Sequence, residues 1–386
     1  MEPPTEVKEV GKIWKLKKSA YGLYDASRKW FLAVKEQLLA IGMKSVSGDE
    51  AFFTLMKEGK LIGLCVLHVD DFLTAGTPKF EELLNHRLKG RFSFGKIEDI
   101  NFKFTGLRIE QKVDGIYVDQ IEYIQSLQPI DINRVGDKNE KLNKTEFKAY
   151  RALTGQLSWA AENTRPDIAF DVREMATRNK CATLDDLHRA NKILKKAQMN
   201  NVKNKYSKLG KWDELKIVGY SDASYRNAEL GTKSVGGRII FLPNKKGECS
   251  PLSWKSKTIQ QVCKSVKSAE TRSLDLAMED SIFMGQMFNE IHTGNTNGYI
   301  DIEMKTDSKT LYDSIISTKQ VDEKTIRHII AWIKQQKEEK RVKEINWVCS
   351  ENMLADIFTK KNVKPDNILT AVTKGLMTQF SELSEL

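Results

Sequence analysis

Cysteine is scarce and scattered: Cys65, Cys181, Cys249, Cys263 and Cys349 are the only five in 386 residues, and no two form a C-x-x-C pair. That excludes a disulfide framework and a zinc knuckle, and leaves reduced, mostly buried thiols. No run approaches the roughly 18 apolar residues of a membrane span. The N-terminal MEPPTEVKEVGK is charged and Pro-bearing where a signal peptide needs an apolar centre. A soluble intracellular protein with no membrane partner is expected. Internal repeats and low-complexity tracts are lacking too.

What is present suits a multidomain globular chain. Hydrophobic residues make up 40%, enough for real cores, and the length divided by about 150 residues per domain gives two to three domains. Sixty-two Lys plus Arg against 52 Asp plus Glu leave a net charge of +10, which favours a polyanionic partner without requiring one.

Along residues 13–128, short apolar runs alternate with helical stretches. The most apolar run, LIGLCVLHVDDF (61–72), carries two adjacent carboxylates at its end and is closed by Gly76 and Pro78, which predicts a buried strand ending in a hairpin. In FKFTGLRIEQKVDGIYVDQ, Asp114-Gly115 between alternating apolar residues predicts a further hairpin. From Phe147 to Met199 the period becomes helical, with Tyr150, Leu153, Thr154, Leu157 and Ala161 on one face and a basic amphipathic helix over 187–196. The Lys- and Asn-rich stretch 200–214 lacks apolar periodicity and predicts a domain boundary.

Beyond it the pattern reads βββ, α, β, α, α, β, α. Strands fall at 215–225, 234–242 and 249–256, a long helix at 268–291, a strand in YIDIEMKTD, an isoleucine-striped helix and the strand EINWVCS; ENMLADIFTK then opens a last helix with Ser350 as its N-cap. Asp222, Glu270, Asp307 and Asp356 each lie at the edge of one of these elements. From spacing alone, surface acids are the plainer explanation. If folding gathers them, four carboxylates in one cleft call for divalent cations, and hard oxygen ligands without His or Cys select Mg²⁺ or Mn²⁺ over zinc.

The motifs around these acids shift the balance. GYSDAS, KSAETRSLDLA, KTDSKTL and ENMLADIFTK, with SWKSK before the long helix, resemble the ribonuclease H domain of copia-type retrotransposon Pol polyproteins. Upstream, KLKKSAYGLYDASRKWF, LCVLHVDDFLTAG and YRALTGQLSWAAENTRPDIAFDV resemble that family's reverse transcriptase: the segment beside the templating base, the catalytic hairpin and the stretch after the palm. The resemblance implies an α/β fold. A truncated polymerase palm (1–130) and a helical thumb-like segment (131–210) would precede a ribonuclease H-like domain with a mixed five-stranded sheet (211–365) and a tail (366–386).

It further implies metal-dependent hydrolysis of the RNA strand of RNA/DNA hybrids. Asp222, Glu270, Asp307 and Asp356 would be catalytic and would hold two Mg²⁺ ions, with Mn²⁺ as the alternative ion. Asp70 and Asp71 match the metal-binding pair of the palm hairpin. His68 stands where the family most often has Tyr. A segment resembling D-V-x-x-A-F-L, with a further palm Asp, and the fingers before it are not found here, so no polymerase activity is expected from this chain alone.

Arg28, next to Trp30 and Phe31, would approach a primer-template, while Lys192, Lys195 and Lys196 would line a nucleic-acid groove and Lys255 and Lys257 would touch the hybrid. For the aromatics, packing into the palm core is an equal alternative, and for the lysines a solvated charged face is one. His328, on the isoleucine-striped helix, is structural rather than a proton shuttle. Other Pol or Gag products are implied partners, and cytoplasmic particles, with later passage to the nucleus, the implied location. The competing reading is a decayed, non-catalytic remnant that binds nucleic acid or merely folds; the missing palm half favours it and the intact tetrad argues against it.

Overall fold

The computed structural model describes residues 15, 22–132, 134, 136–226 and 233–377. Most of KLKKSAYG, the extreme N-terminus and the end of the expected tail lie outside them. Two compact units emerge, one reaching Ile97 and including Glu290–Thr296, the other holding Glu98–Asn289 and the chain from Asn297 onward.

In the first unit, helices α1 (Ala26–Ala40) and α2 (Pro78–Lys89) accompany an antiparallel sheet of β1 (Lys44–Val46), β2 (Asp49–Lys57), β3 (Lys60–His68) and β4 (Asp71–Gly76), paired in sequence order. Val34, Leu38, Phe53, Cys65, Phe80, Leu84 and Leu88 form its core. Helix α2 starts where the sequence dictates: Pro78 occupies its first turn and the Thr77 hydroxyl accepts from the Phe80 N–H at 3.3 Å. The run 61–72 forms a strand that ends in a hairpin, as expected. His68 pairs with Asp71 across a tight turn in which Val69 adopts φ 52°. Burial alternates along β3, because its other neighbours are strands and only one face has a core to meet.

The second unit contains two sheets. The first pairs β5 (Asn101–Phe104), β6 (Leu107–Lys112), β7 (Gly115–Asp119) and β8 (Asn204–Ser207) in that antiparallel order, with the predicted hairpin at Asp114-Gly115. Strand β8 lies inside the stretch expected as a boundary. Its side chains are polar, so backbone pairing with β7 rather than apolar periodicity makes it a strand, and that leaves no sequence signal. A short α3 (Ile121–Ser126) precedes the expected helical segment, which comprises α4 (Lys144–Asn163), α5 (Ala169–Arg178) and α6 (Leu184–Met199). Asn143 and Glu146 close a capping box on α4, and Tyr150, Leu153, Thr154, Leu157 and Ala161 are buried as their spacing predicts.

The mixed five-stranded sheet is present. It is built from β9 (Ile217–Ser224), β10 (Val235–Pro243), β11 (Cys249–Thr258), β12 (Ile302–Thr306) and β13 (Glu344–Trp347) in the order β11-β10-β9-β12-β13. Strand β10 is antiparallel to both β9 and β11, whereas β12 runs parallel to both β9 and β13. Helices α7 (Val266–Thr293), α8 (Lys309–Ile316) and α9 (Lys324–Glu338) supply Leu274, Met278, Leu311, Ile326, Ile330 and Ile333 to one core. On the opposite face, Val218, Tyr220, Phe241 and Trp254 share a core with Leu157 and Ala161 of α4 and with Phe358. The Trp254 indole N–H donates to the Ala161 carbonyl at 2.7 Å, tying β11 to α4. With both faces covered, β9 and β10 are buried along almost their whole length.

The expected last helix is not formed. ENMLADIFTK makes two 3₁₀ turns, Ser350–Asn352 and Asp356–Phe358, before the short α10 (Asp366–Leu369). Ser350 does not cap a helix; its hydroxyl donates to Asp307 Oδ2 at 3.1 Å. The loop is pressed flat against β10 at Gly237, where a Cβ would lie 2.6 Å from Thr359 Cγ2, 2.7 Å from Phe358 Cβ and 3.0 Å from the Ala355 carbonyl oxygen. Among the described residues, no helix is long and apolar enough to cross a membrane.

Gly237 pairs directly with Asp222, so its missing side chain lets the loop reach that acid. Gly237→Ala is expected to cost about 1–3 kcal/mol through overpacking, read by urea denaturation. A fully neutral substitution would show that the loop yields freely.

Candidate metal centre

Strand order explains how distant acids meet. Asp222 lies near the end of β9 and Asp307 follows β12, and because these strands are parallel neighbours with Thr306 opposite Ser221, both acids emerge at the same sheet edge. Glu270 reaches them from the first turns of α7. Carboxylate oxygens of Asp222, Glu270 and Asp307 lie within 4.8 Å of one another, and among the described residues no other group of three metal-ligating side chains comes together.

The cluster is largely withdrawn from water. Asp222 is 1% and Glu270 6% exposed, while Asp307 and Asp356 are half-buried. Asp222 Oδ2 accepts a short hydrogen bond from the Thr359 hydroxyl, and the Asp222 carbonyl accepts one from Ser273 at 2.8 Å. Asp307 is fixed by Ser350 on its side chain and by the Trp347 indole on its carbonyl at 2.9 Å. Glu270 Oε2 is buried without a hydrogen-bond partner.

Asp356 stands apart from this trio, bridged to it by a cation. Lys360 Nζ is 2.7 Å from Asp356 Oδ1 and 3.5 Å from Asp222 Oδ1. Lys360 and Thr359 were not anticipated from the sequence. The only signal was a Lys four residues after an acid, and its value depends on a loop conformation that spacing does not reveal.

Burial pushes the Asp222 carboxyl up to about 6; Lys360 opposes this, and Asp356 adds to it. Glu270 lies well above its ordinary value, through burial first and then the charges of Asp222 and Asp307. Asp356 is raised by burial despite Lys360. Burial draws Lys360 down, but the charges of Asp222 and Asp356 outweigh it and hold the ammonium above its usual range. A purely oxygen donor set, in which burial and crowded like charge oppose ionisation and one oxygen is orphaned, fits a divalent cation of the hard, oxygen-seeking kind.

The remaining residues singled out lie elsewhere. Asp70 and Asp71 sit exposed at the β3–β4 turn, whose Val69 carbonyl accepts from the Trp30 indole at 3.0 Å. Trp30 also packs edge-on against Phe92, with centroids 4.8 Å apart, so in this unit the aromatics of α1 are core residues that brace the turn. Arg28 is exposed on α1. Lys192, Lys195 and Lys196 are exposed on α6, but Lys196 is already engaged by Asp171 at 3.0 Å. Lys255 and Lys257 are exposed on the edge strand β11, alternating with Trp254 and Ser256.

A five-stranded mixed sheet of this order, helices on both faces and acids gathered at the ends of its parallel pair define a ribonuclease H-like unit. Comparison with known proteins supplies the rest. Residues 1–141 match the family described as reverse transcriptase (RNA-dependent DNA polymerase). The chain is 28% identical over 276 residues to the retrovirus-related Pol polyprotein from transposon RE1 of Arabidopsis thaliana, covering 68% of this chain and 18% of that one. It is 24% identical over 399 residues to the corresponding polyprotein from transposon TNT 1-94 of Nicotiana tabacum, covering 93% and 28%. Among solved structures, LC11-RNase H1 in complex with an RNA/DNA hybrid covers 37% of this chain and 93% of its own, at 23% identity and a TM-score of 0.29. A foamy viral protease-reverse transcriptase in complex with double-stranded DNA covers 85% and 51%, at 13% identity and a TM-score of 0.23. Scores that low add nothing to the strand order.

The chain is thus a homologue of copia-type retrotransposon Pol polyproteins, with a reverse transcriptase part and a ribonuclease H-like part, as the motifs implied. It spans about a fifth of the length of the RE1 polyprotein.

The raised Asp222 carboxyl carries a pH signature. Well below pH 4 it is protonated in both folded and unfolded chains and costs nothing; as pH rises through about 6 the folded state must release a proton it holds more tightly, so stability falls. Without metal, Asp222→Asn is expected to be more stable than the wild type at pH 7, by roughly 3 kcal/mol at most, with the gap closing towards pH 4. Urea denaturation in EDTA across that range measures it, and a gap independent of pH would sink the assignment.

Proposed function

We propose that this chain hydrolyses the RNA strand of RNA/DNA hybrids in a divalent-metal-dependent reaction centred on Asp222, Glu270 and Asp307, with Asp356 at the rim. The observation that carries this reading is the convergence of three carboxylates from three separate elements, one of them with a buried oxygen lacking any partner. Buried polar atoms mostly find a partner, and of the unsatisfied carboxylate oxygens this one stands beside two further acids at ligand distance.

Asp222, Glu270 and Asp307 would hold the ion, Mg²⁺ or Mn²⁺, and Asp356 would complete the set. Once bound, such an ion stabilises negative charge on a phosphodiester and eases deprotonation of an attacking water. The protein's own contribution is positioning. Thr359 and Ser273 fix the orientation of Asp222, Ser350 and Trp347 fix Asp307, and the burial of Glu270 keeps bulk water from competing for its oxygens. The half-buried side bounded by Asp307 and Asp356 is where a phosphate backbone would enter. Exposed Lys255 and Lys257, and Lys192 and Lys195, would add charge attraction that does not depend on base sequence. RNA would be recognised by shape and 2′-OH groups.

For the reverse transcriptase part the proposal is narrower. Among the described residues Asp70 and Asp71 have no third carboxylate beside them, so nucleotidyl transfer by this chain alone is not expected.

The purified chain with a labelled RNA/DNA hybrid and Mg²⁺ is expected to cleave only the RNA, and both EDTA and Asp307→Asn should abolish cleavage. A folded wild-type protein that left the hybrid intact in Mg²⁺ and in Mn²⁺ would favour the non-catalytic remnant instead.

A further inference from the structure

The two ends of the acidic cluster are unequal. At one end Asp222, Glu270 and Asp307 converge and Glu270 Oε2 stands unsatisfied. At the other end a positive charge is already in place. The ammonium of Lys360 contacts Asp356 Oδ1 at 2.7 Å and Asp222 Oδ1 at 3.5 Å, while Thr359 takes the second oxygen of Asp222. No helix brings Lys360 there, because the 3₁₀ turn of Asp356 ends at Phe358; the lysine reaches inward from the loop that follows.

We propose that Lys360 is a built-in competitor for cation binding between Asp222 and Asp356, so that one divalent ion binds readily among Asp222, Glu270 and Asp307 while a second is admitted only when the Lys360 ammonium swings out. The proposal rests on the metal-dependent reading above. Two cations cannot share Asp222 Oδ1 and Asp356 Oδ1 at contact distance, since their mutual repulsion acts in a poorly solvated site. Lys suits such a role. Its charge sits on a flexible four-carbon stem, and its side chain here is 39% exposed, so a path outward exists. In the metal-free protein the same charge lowers the repulsion between Asp222 and Asp356. The second ion would therefore bind more weakly, and its occupancy would follow the position of one side chain.

Isothermal calorimetry on the metal-free full chain tests this, using MgCl₂ and separately MnCl₂ on the wild type, Lys360→Met, Lys360→Gln, Lys360→Arg and Glu270→Gln. The wild type is expected to show one tighter and one weaker ion. Loss of the charge in Lys360→Met should tighten the weaker ion by about three- to tenfold, discounted for partial exposure, and leave the tighter one unchanged. Lys360→Gln, closer in length and polarity, should do the same and stands in if the Met variant does not fold, whereas Lys360→Arg should keep the two affinities apart. If the wild type binds a single ion, a second appearing in Lys360→Gln supports the proposal. A weaker ion that is unchanged, weakened or still missing in Lys360→Gln overturns it and leaves the metal centre standing. No binding of either metal by the wild type, with Glu270→Gln indistinguishable from it, would remove the metal reading and this proposal with it.

Discussion

Like charges brought together out of water repel strongly, and the second unit is organised around that cost. Asp222, Glu270 and Asp307 approach within 4.8 Å at the end of the sheet, the first two buried and the third half-buried, where distance does not separate them and solvent screens them little. Their neighbours answer the repulsion piecemeal: hydroxyls from Thr359 and Ser350, and the ammonium of Lys360. None of these satisfies Glu270 Oε2. What is left over is uncompensated negative charge, which an external cation would meet.

The geometry that concentrates the charge is set by backbone topology. The parallel β9–β12 pair places two strand ends side by side, and α7 starts close enough to deliver Glu270. Gly237 then allows the loop after β13 to lie on the sheet and bring Thr359 and Lys360 to Asp222. Each acid is therefore held by an element whose position is fixed by a core on one or both faces of the sheet. Preorganisation of this kind allows charges to stay close without the protein relaxing to separate them.

Much of this was legible in the sequence. The five strands of the mixed sheet, the long α7 and the α4 face of Tyr150, Leu153 and Leu157 follow from periodicity, and the four acids follow from the motifs around them. Features specified by partners rather than by pattern were not legible. Strand β8 has polar side chains and exists because β7 offers it a ladder. The segment around Asp356 has helix-forming composition, yet it is flattened by contact with Gly237, a residue more than a hundred positions away. The hairpin after β3 was legible, but not its reversal at Val69, since a β-branched residue at φ 52° is an unusual place to turn a chain. The bridging Lys360 is invisible for the same reason, since its role exists only in three dimensions.

The helical segment and the five-stranded sheet do not have separate interiors. Leu157 and Ala161 of α4 lie in one core with Tyr220, Phe241 and Trp254, the Trp254 indole is bonded to the α4 backbone, and Arg173 of α5 reaches Thr258 of β11 at 3.2 Å. A lineage that exchanged the five-stranded sheet alone for a relative's would expose one whole face of it to water. The unit that recombination can shuffle intact is therefore helices and sheet together, and inheritance of the ribonuclease H-like part is bound to that of the segment which precedes it.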